Sequence, residues 1–225
     1  MPPASDQPAP DPVLRRRAAR ILSKLTERYP TIGTALHYED PWQLLVSTVL
    51  SAQTTDDTVN RVTPIVFARW PTADDLAGAD PEAVEEVVRP TGFYRQKTKA
   101  IISLSQDLIE SHGGVVPEDL EVLVTLRGVG RKTASVVLAE AFNRPAIAVD
   151  THVNRVAGRL ALTTHTKPEK VEADLRDLYP RAKWAGISMR FIQFGRDICD
   201  ARRPRCWECP LARMCPYPSK RQAPV

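Results

Sequence analysis

No stretch of this chain approaches the roughly 20 consecutive apolar residues that a membrane-spanning helix requires. Residues 1–10 hold four prolines and no periodic apolar pattern, which predicts a disordered lead without the apolar core of a signal peptide. Cysteine is scarce, with four residues in all, and in a protein that is not exported these are not expected to form disulfides. We therefore expect a cytoplasmic protein with no membrane partner.

The chain also lacks an internal repeat and a large excess of either charge. Its 225 residues, 43% of them hydrophobic, suffice for one large or two small globular domains. The formal net charge is +4 and the sequence pI is about 9.0. This modest basic excess is compatible with a nucleic-acid partner, although many soluble proteins are equally basic.

The patterns that are present predict helices. Three Asp-Pro pairs each place a capping residue before a proline at the first helical position, at residues 11–12, 40–41 and 80–81. The helix that follows the second pair, up to about Leu50, is apolar nearly all round, so we expect it to be central and buried. Only residues 146–149 could form a strand, and a single strand has no partner. The predicted fold class is therefore all-α.

The most informative stretch is a pair of glycines, Gly128 and Gly130, between two helical patterns at residues 117–126 and 132–142. Glycine permits the positive φ angles that a tight turn requires, so the pair predicts a hairpin between two helices. Glycine also lets backbone N–H groups approach a phosphate closely. The hairpin is therefore a candidate phosphate-binding element.

Two charged residues near this hairpin could carry chemistry. Lys132 begins the second helical pattern, where the positive end of the helix dipole disfavours an ammonium and should lower its pKa. A neutral lysine amine can attack an electrophilic sugar carbon and form a Schiff base, but a simple phosphate contact explains the same residue. Asp150 lies at the start of a later helical pattern, where it could serve only as an N-cap.

The cysteines have the spacing C-x6-C-x2-C-x5-C, at Cys199, Cys206, Cys209 and Cys215. Four soft thiolates so close together favour a metal site over free buried thiols. The spacing alone is compatible with zinc and with an iron–sulfur cluster. Several arginines surround the cysteines, so a loop held by metal could also contact phosphates.

These motifs resemble those of the helix-hairpin-helix superfamily of DNA glycosylases and, within it, the endonuclease III family. The resemblance covers nearly the whole chain. It is carried by the cysteine spacing and by three motifs: Leu-x-Gly-Val-Gly-Arg-Lys-Thr-Ala at 126–134, Val-Asp-Thr-His-Val at 149–153, and Leu-Ser-Ala-Gln at 50–53.

The resemblance implies a fold of two lobes. A six-helix barrel lobe would comprise residues 33–144 and include the helix-hairpin-helix at about 117–142. An iron–sulfur cluster lobe would comprise residues 11–32 together with residues 145–225. The active-site cleft would lie between the lobes.

The resemblance also implies roles for individual residues. Lys132 would be the catalytic nucleophile, and Asp150 would help to deprotonate it and would stabilise positive charge on the sugar. The DNA backbone would be bound by the hairpin, at Gly128, Val129, Gly130 and Arg131. The cysteine spacing matches the ligand pattern of a 4Fe–4S cluster, for which we expect a structural and DNA-binding role.

A glycosylase must extrude the damaged nucleotide from the duplex, and the gap that remains needs filling. By their positions in the family, the candidates to enter or line this gap are Gln53, Phe93 and His152. Phe93 stands where an aliphatic residue is expected, and it could instead be a core aromatic. His152 could equally be a satisfied histidine at a helix start.

The implied activity is that of a bifunctional DNA glycosylase and AP lyase of base excision repair. It would excise oxidised pyrimidines through a Schiff base and nick the strand by β-elimination. Its partner would be double-stranded DNA with damaged pyrimidines or abasic sites, bound by a monomer that is associated with the nucleoid.

Two alternatives stay open at this point. Related mismatch glycosylases remove adenine, thymine or uracil but usually lack a lysine at the position of Lys132, and the adenine enzyme has a further C-terminal domain for which no residues follow Val225. A non-enzymatic helix-hairpin-helix DNA-binding protein would use the basic hairpin alone. Such a protein would not require both Lys132 and Asp150.

Overall fold

The structure, a computed structural model, describes residues 11–220. Every regular element in this range is a helix and no strand occurs in it, which confirms the predicted all-α fold class. The predicted disordered lead at residues 1–10 lies outside the described residues. The α-helices of the described range are α1 Pro12–Arg28, α2 Pro41–Leu50, α3 Asp56–Arg69, α4 Ala73–Ala77, α5 Pro81–Val88, α6 Tyr94–His112, α7 Leu120–Leu123, α8 Arg131–Ala141, α9 Thr151–Arg159, α10 Pro168–Leu178 and α11 Trp184–Asp197.

The Asp-Pro pairs start helices as predicted. Asp40 Oδ1 accepts a hydrogen bond of 2.8 Å from the backbone N–H of Gln43 at the start of α2. Asp11 and Asp80 cap α1 and α5 in the same manner. The proline that follows each aspartate removes no helical hydrogen bond, because the N–H groups of the first turn have no partner inside the helix.

The first helix of the hairpin is shorter than the predicted 117–126. Helix α7 comprises only Leu120–Leu123, because Asp119 caps it by accepting hydrogen bonds of 2.9 and 3.1 Å from the second and third N–H groups that follow. Beyond the helix the chain tightens, and the Leu126 N–H bonds to the carbonyl of Leu123 three residues earlier at 3.2 Å. The segment that leads into the glycines is therefore a turn.

The chain divides into two compact units, of which one runs from Gly33 to Ala146. Helix α2 is the central element of this unit and packs against α3, α6 and α8. All residues of α2 from Leu44 to Leu50 are buried, which confirms the prediction for this helix. The hairpin at α7 and α8 belongs to this unit.

The other unit contains the described residues up to Ile32 and those from Ile147 onward. Its core is formed by α1, α9, α10 and α11, and the largest of its fully buried side chains are Phe191 and Phe194 of α11. Burying an aromatic side chain of this size stabilises a fold by about 1.5–3 kcal/mol. This core fixes the N-terminus of α9, with Asp150, and the chain after α11, with the cysteines. Within residues 11–220, no helix combines the length and the apolar character that crossing a membrane requires.

Candidate functional site

The hairpin turn, residues 126–130, is anchored by two buried side chains. Leu126 and Val129 are buried, and the Val129 N–H donates a hydrogen bond of 3.0 Å to the Leu126 carbonyl. Arg127, Gly128 and Gly130 are exposed. Because the side chain of Val129 is used for packing, the turn presents mainly its backbone to a ligand.

Different structural properties distinguish the two glycine positions of the turn. Gly128 has a φ of +82°, and a Cβ added there would lie 2.7 Å from the Cβ of Ala100 in α6. Gly130 has an ordinary φ of −88°, and an added Cβ would meet no atom within 4 Å. Gly128 is therefore required by the conformation and by the packing of the turn. The open space over Gly130 is available to a ligand.

Arg127 ties the turn to α6. Its backbone N–H donates a hydrogen bond of 2.7 Å to Asp107 Oδ2, and its Nε donates one of 2.8 Å to Asp107 Oδ1. A further bond of 3.2 Å joins Arg127 Nη2 to the carbonyl of Ser103. The hydrogen bonds from Arg127 hold the pKa of Asp107 below its usual value. The sequence carried no signal for this anchor, because Asp107 lies one helix earlier.

Helix α8 starts without a side-chain cap. Gly130 is its N-cap, and Arg131 and Lys132 are its first two residues. The N–H groups of the first turn have no partner inside the helix and carry the positive end of its dipole. Lys132 is exposed in this turn, while Arg131 Nη1 lies 3.3 Å from Oε1 of Glu121 in α7. The turn can thus attract an anion through its backbone, and Lys132 lies beside those N–H groups along the chain.

Asp150 is the N-cap of α9 in its own unit. Its Oδ1 accepts a hydrogen bond of 2.8 Å from the Val153 N–H, and the residue is half-buried. The segment before it, residues 146–149, is buried and has no regular secondary structure, and the Ala148 N–H bonds to Ser188 Oγ at 2.8 Å. The cap confirms the structural role of Asp150, and it also holds the carboxylate in one orientation.

His152 lies in the first turn of α9 and is half-buried. Its Nδ1 lies 3.0 Å from Nη2 of Arg155, and a Cβ added to Gly195 in α11 would lie 3.1 Å from the imidazole. Burial is the main cause that lowers the pKa of His152, which disfavours the protonated ring. A neutral ring beside a guanidinium accepts through Nδ1, which leaves the proton on Nε2.

Gln53 and Phe93 share an unusual conformation and are both exposed. Gln53 has a φ of +55° and Phe93 a φ of +48°, in the left-handed region that large side chains rarely occupy. Phe93 is 61% exposed, so the alternative of a core aromatic is wrong. Backbone strain of this kind costs about 1–3 kcal/mol and persists where the surrounding structure enforces it. Both residues belong to the unit that contains the hairpin.

The four cysteines meet in the other unit. Cys199, Cys206, Cys209 and Cys215 line one cavity, which is partly open to solvent. The segment that carries them, residues 199–215, is called the cysteine loop below. Its only regular element is a short 3₁₀ helix, Cys206–Glu208. Side chains outside the loop bond to its backbone carbonyls, among them Arg155 at 3.0 Å to Cys199 and Arg159 at 2.7 Å to Asp200.

The placement of the thiols fits an iron–sulfur cluster. Such a cluster takes its thiolates around its periphery. The four cysteines line one cavity, which meets this requirement.

In the absence of a bound cation, the surroundings of the cysteines disfavour the charged thiolate form. Burial raises the pKa of the Cys209 thiol to about 11 and also raises that of Cys215. Arg159 of α9 offers partial compensation, because its Nη1 lies 3.4 Å from Cys199 Sγ and 2.7 Å from the Asp200 carbonyl. Its guanidinium also lies over the ring of Tyr217, 4.7 Å from the centroid. Thiolates at this site would be stabilised further by iron.

Asp197 connects the start of the cysteine loop to the rest of its unit. Its Oδ2 accepts hydrogen bonds from Tyr29 Oη at 2.8 Å and from Arg28 Nη2 at 3.0 Å. Its Oδ1 accepts one of 2.7 Å from Arg205 Nη2, and Arg205 Nε also lies 2.8 Å from Glu208 Oε1. Arg205 is therefore part of the loop's internal structure. Its guanidinium is bonded to Asp197 and paired with Glu208, so this arginine has a structural role.

Two family descriptions match the chain. Residues 46–181 match the HhH-GPD superfamily of base excision DNA repair proteins, and residues 199–215 match the iron–sulfur binding domain of endonuclease III. Among curated proteins, endonuclease III of a Synechocystis strain is 47% identical over 203 residues, which cover 90% of this chain and 93% of the relative. Endonuclease III of Escherichia coli K12 is 37% identical, over 92% of this chain and 98% of the relative.

Solved structures are similar to the chain as well. A trapped endonuclease III–DNA covalent intermediate, in an estranged-adenine complex, has a TM-score of 0.87 and 39% identity and covers 90% of this chain and 96% of its own. A non-covalent endonuclease III–DNA complex has a TM-score of 0.86 and the same identity, over 90% of this chain and 95% of its own. A thermostable thymine-DNA glycosylase, at 22% identity and a TM-score of 0.81, shares the fold.

Proposed function

Since the chain belongs to the endonuclease III family, within the HhH-GPD superfamily of base excision DNA repair proteins, we propose that it acts on double-stranded DNA that contains oxidised pyrimidines or abasic sites. Members of this family are DNA glycosylases and AP lyases, and this chain is one of them. The observation that carries the proposal is the start of α8. There an exposed lysine follows a glycine cap over which the space is open.

Lys132 is the proposed nucleophile. Its Nζ forms a bond with C1′ of the damaged nucleotide, the C1′–N bond breaks, and the base leaves with the electron pair and takes up a proton. The bound amine then forms a double bond to C1′ as the C1′–O4′ bond breaks, O4′ takes up a proton, and the open sugar is an imine. Loss of a proton from C2′ of the imine then expels the 3′ phosphate, which nicks the strand by β-elimination. The lysine is released when water hydrolyses the imine.

Asp150 is the proposed partner in this chemistry. Its carboxylate helps to remove the proton from the attacking amine and stabilises the positive charge that develops on the sugar as the base leaves. The hydrogen bond from the Val153 N–H supports this role, because it fixes the orientation of the carboxylate before the substrate arrives. An N-cap and a catalytic group are compatible functions for one residue, since the cap bond uses only Oδ1.

The hairpin turn and three outlying residues complete the proposal. Backbone N–H groups at Gly128, Gly130 and Arg131 bind the DNA backbone, which positions the duplex without reading its sequence. The Val129 N–H is bonded to the Leu126 carbonyl, so Val129 takes part by holding the turn in shape. The gap left by the extruded nucleotide is entered or lined by Gln53, Phe93 and His152. The exposure of Gln53 and Phe93 supports their part in this proposal, whereas the half-buried His152 is better suited to line the gap.

The cofactor is a 4Fe–4S cluster, for which the four cysteines of the loop are the proposed ligands. When bound, the cluster supplies a covalent staple for a segment that buries little apolar surface. Cys199 is held next to Arg159, and the loop ends near the exposed Arg213. We infer that the cluster organises a DNA-contacting surface and takes no part in the excision chemistry. We also propose that the protein works as a monomer on the nucleoid, in keeping with its pI of about 9.0.

Trapping with sodium borohydride tests the central assignment. The reagent reduces an imine during turnover, so the wild-type protein should become covalently linked to DNA through Lys132. Lys132→Gln should lose the adduct and keep DNA binding, because the hairpin N–H groups remain. Lys24→Gln, a change of an exposed lysine in α1, is the matched control for charge and should trap normally. Trapping of Lys132→Gln at the wild-type rate would show that another amine is the nucleophile.

Asp150→Asn tests the second role. Asparagine keeps the N-cap but removes the charge, so the fold should survive. The rate of base excision should fall roughly 10²-fold or more, the usual scale for a positioned proton-transfer group. Single-turnover excision measures this effect, and thermal unfolding of the same variant checks that the cap is intact.

A further inference from the structure

Lys97 of α6 is a buried lysine without a role in the chemistry above. It is 5% exposed, and its Nζ donates hydrogen bonds of 2.7 Å to Thr54 Oγ1 and of 2.7 Å to the Thr91 carbonyl. No carboxylate among the described residues forms an ion pair with it. Burial lowers the pKa of its ammonium, and the two oxygen atoms are its only hydrogen-bond acceptors in the described chain.

The two acceptors belong to different loops. Thr54 lies in the turn between α2 and α3, one residue after Gln53, and Thr91 lies in the turn between α5 and α6, two residues before Phe93. Thr54 Oγ1 also donates a hydrogen bond directly to the Thr91 carbonyl. Lys97, Thr54 and Thr91 thus form a closed triangle of hydrogen bonds that joins the loops at a point within two residues of both strained positions.

Burying a lysine without a carboxylate is costly, and an apolar side chain of the same length would fill the space without that cost. A lysine has value here because it donates to two acceptors at once and so fixes the distance between two backbones. The strain at Gln53 and Phe93 requires such enforcement, since a glutamine and a phenylalanine leave the left-handed region when they are free to do so.

We propose that Lys97 is a positioning residue that clamps the loop of Gln53 to the loop of Phe93, so that both side chains are presented together to the gap in the damaged duplex. This inference rests on the proposed gap-filling role of the two residues. It adds that their joint placement depends on the hydrogen bonds of one buried ammonium group. Lys97 itself does not touch DNA.

Lys97→Met tests the clamp, because methionine fills a similar volume and cannot donate. Single-turnover excision from a duplex with one damaged pyrimidine should slow by roughly 10- to 100-fold, the range expected when a positioned group is displaced. The fluorescence increase of a 2-aminopurine placed opposite the lesion, which reports unstacking on binding, should be reduced in parallel. Thr98→Val is the matched control, since Thr98 is buried next to Lys97 and its hydroxyl has no hydrogen-bond partner. It should behave as wild type.

A mutant cycle separates positioning from a general structural effect. In a Gln53→Ala/Phe93→Ala background there is nothing left for the clamp to position. Adding Lys97→Met to this background should change the rate of excision by less than about twofold, because the lysine acts only through the two side chains that are already missing. A full Lys97→Met penalty in that background would show that the lysine merely supports the fold, and wild-type excision by Lys97→Met alone would also overturn the proposal.

Failure of the proposed function has a different signature. If Gln53→Ala/Phe93→Ala excises and unstacks DNA as wild type does, the two residues do not fill the gap, and the role of Lys97 falls with theirs. If Lys97→Met does not fold, Thr54→Val provides the same test, because it removes the hydroxyl that joins the loops and keeps the lysine. It should show a smaller loss of excision that also disappears in the double-alanine background.

Discussion

The hairpin turn and the cysteine loop are both exposed segments of irregular backbone, but they are stabilised in different ways. In the hairpin turn the chain supplies every restraint: Val129 is buried, Gly128 fits against Ala100, and Arg127 is bonded to Asp107. These contacts form as soon as α6 and the hairpin have folded. The turn therefore needs no ligand to hold its shape.

The cysteine loop buries little apolar surface of its own. Among residues 199–215 only Pro204 and Leu211 are buried. Hydrogen bonds hold the loop at both ends: Arg159 bonds to the Asp200 carbonyl, and Arg17 bonds to the Met214 carbonyl. A segment with so little apolar burial cannot offset the entropy of ordering its backbone. One proposed DNA-contacting surface is therefore held by the chain alone, and we expect the other to need a cofactor as well. The two should respond to perturbation differently.

The largest effect should follow from loss of the cluster. Cys209→Ser removes one proposed ligand, and the unit that contains the loop should lose more than about 4 kcal/mol of stability, which is the range for loss of a metal site. The loop should become the first site of cleavage in limited proteolysis. Chemical unfolding and proteolysis followed by mass spectrometry measure the two effects.

The composition of the purified protein gives the matching control. Wild type should contain about four irons per chain with equivalent sulfide, as a 4Fe–4S cluster requires. Stoichiometric zinc without iron would contradict the assignment. An iron-free protein of unchanged stability would instead show that the loop, like the hairpin turn, is held by the chain alone.

The next effect in size concerns the packing of the hairpin turn. Gly128→Ala forces a positive φ on alanine and brings its Cβ to 2.7 Å from that of Ala100, so it should cost roughly 1–3 kcal/mol of stability. DNA binding should weaken because the turn must shift. Urea unfolding and titration with plain duplex measure the two changes.

A second substitution separates the effect of the steric contact from the effect of the backbone strain. Ala100→Gly in the Gly128→Ala background removes the contact but not the strain, so part of the lost stability should return after allowing for Ala100→Gly alone. Full additivity of the two changes would mean that the contact with α6 does not determine the shape of the turn. The contrast with the cysteine loop would then be weaker than the geometry indicates.

The sequence predicts those features of the two regions that depend on residues close together in the chain. The glycine pair and the cysteine spacing are local patterns, so both regions could be located, and the Asp-Pro caps and the buried α2 could be predicted for the same reason. The predicted helix before the glycines is too long. The apolar pattern does not show that the helix starts after the Asp119 cap and not at Pro117.

The restraints themselves could not be predicted. Asp107 lies 20 residues from Arg127, and Arg159 lies 40 residues from Cys199, so neither pair belongs to a local pattern. The exposure of Phe93 was equally hidden, since an aromatic before a helix fits a core and a surface position alike. Such features depend on how helices pack, and one sequence without the fold does not specify the packing partner of a charged residue.

A smaller effect distinguishes shape from ligand access within the hairpin turn. Gly130→Asn introduces a better N-cap at a position with ordinary φ and open space, so stability should stay within about 0.5 kcal/mol of wild type or rise slightly. The new side chain should occupy the space over the cap and weaken binding to damaged and plain duplexes alike. Loss of binding to the damaged duplex alone would instead place Gly130 at the lesion.

The smallest effect is the pH dependence of the hairpin anchor. Hydrogen bonds from Arg127 depress the pKa of Asp107 in the folded state below its unfolded value of about 3.9. A depressed carboxyl pKa contributes stability that is fully present above the unfolded value and is lost as the pH falls through the folded value. Asp107→Asn should therefore be slightly less stable than wild type at neutral pH, and the difference should shrink in acid below about pH 4.

The effect is small because the guanidinium of Arg127 is exposed and solvent screens the pair. Urea unfolding of wild type and Asp107→Asn from pH 3 to pH 7 measures it, and Asp57→Asn, a change of an exposed aspartate in α3 of the same unit, is the control. A difference that stays constant over this range would mean that the backbone bond to Arg127 matters and the charge does not. The hairpin turn would then be held by packing and neutral hydrogen bonds alone, which would widen its contrast with the arginine-rich cysteine loop.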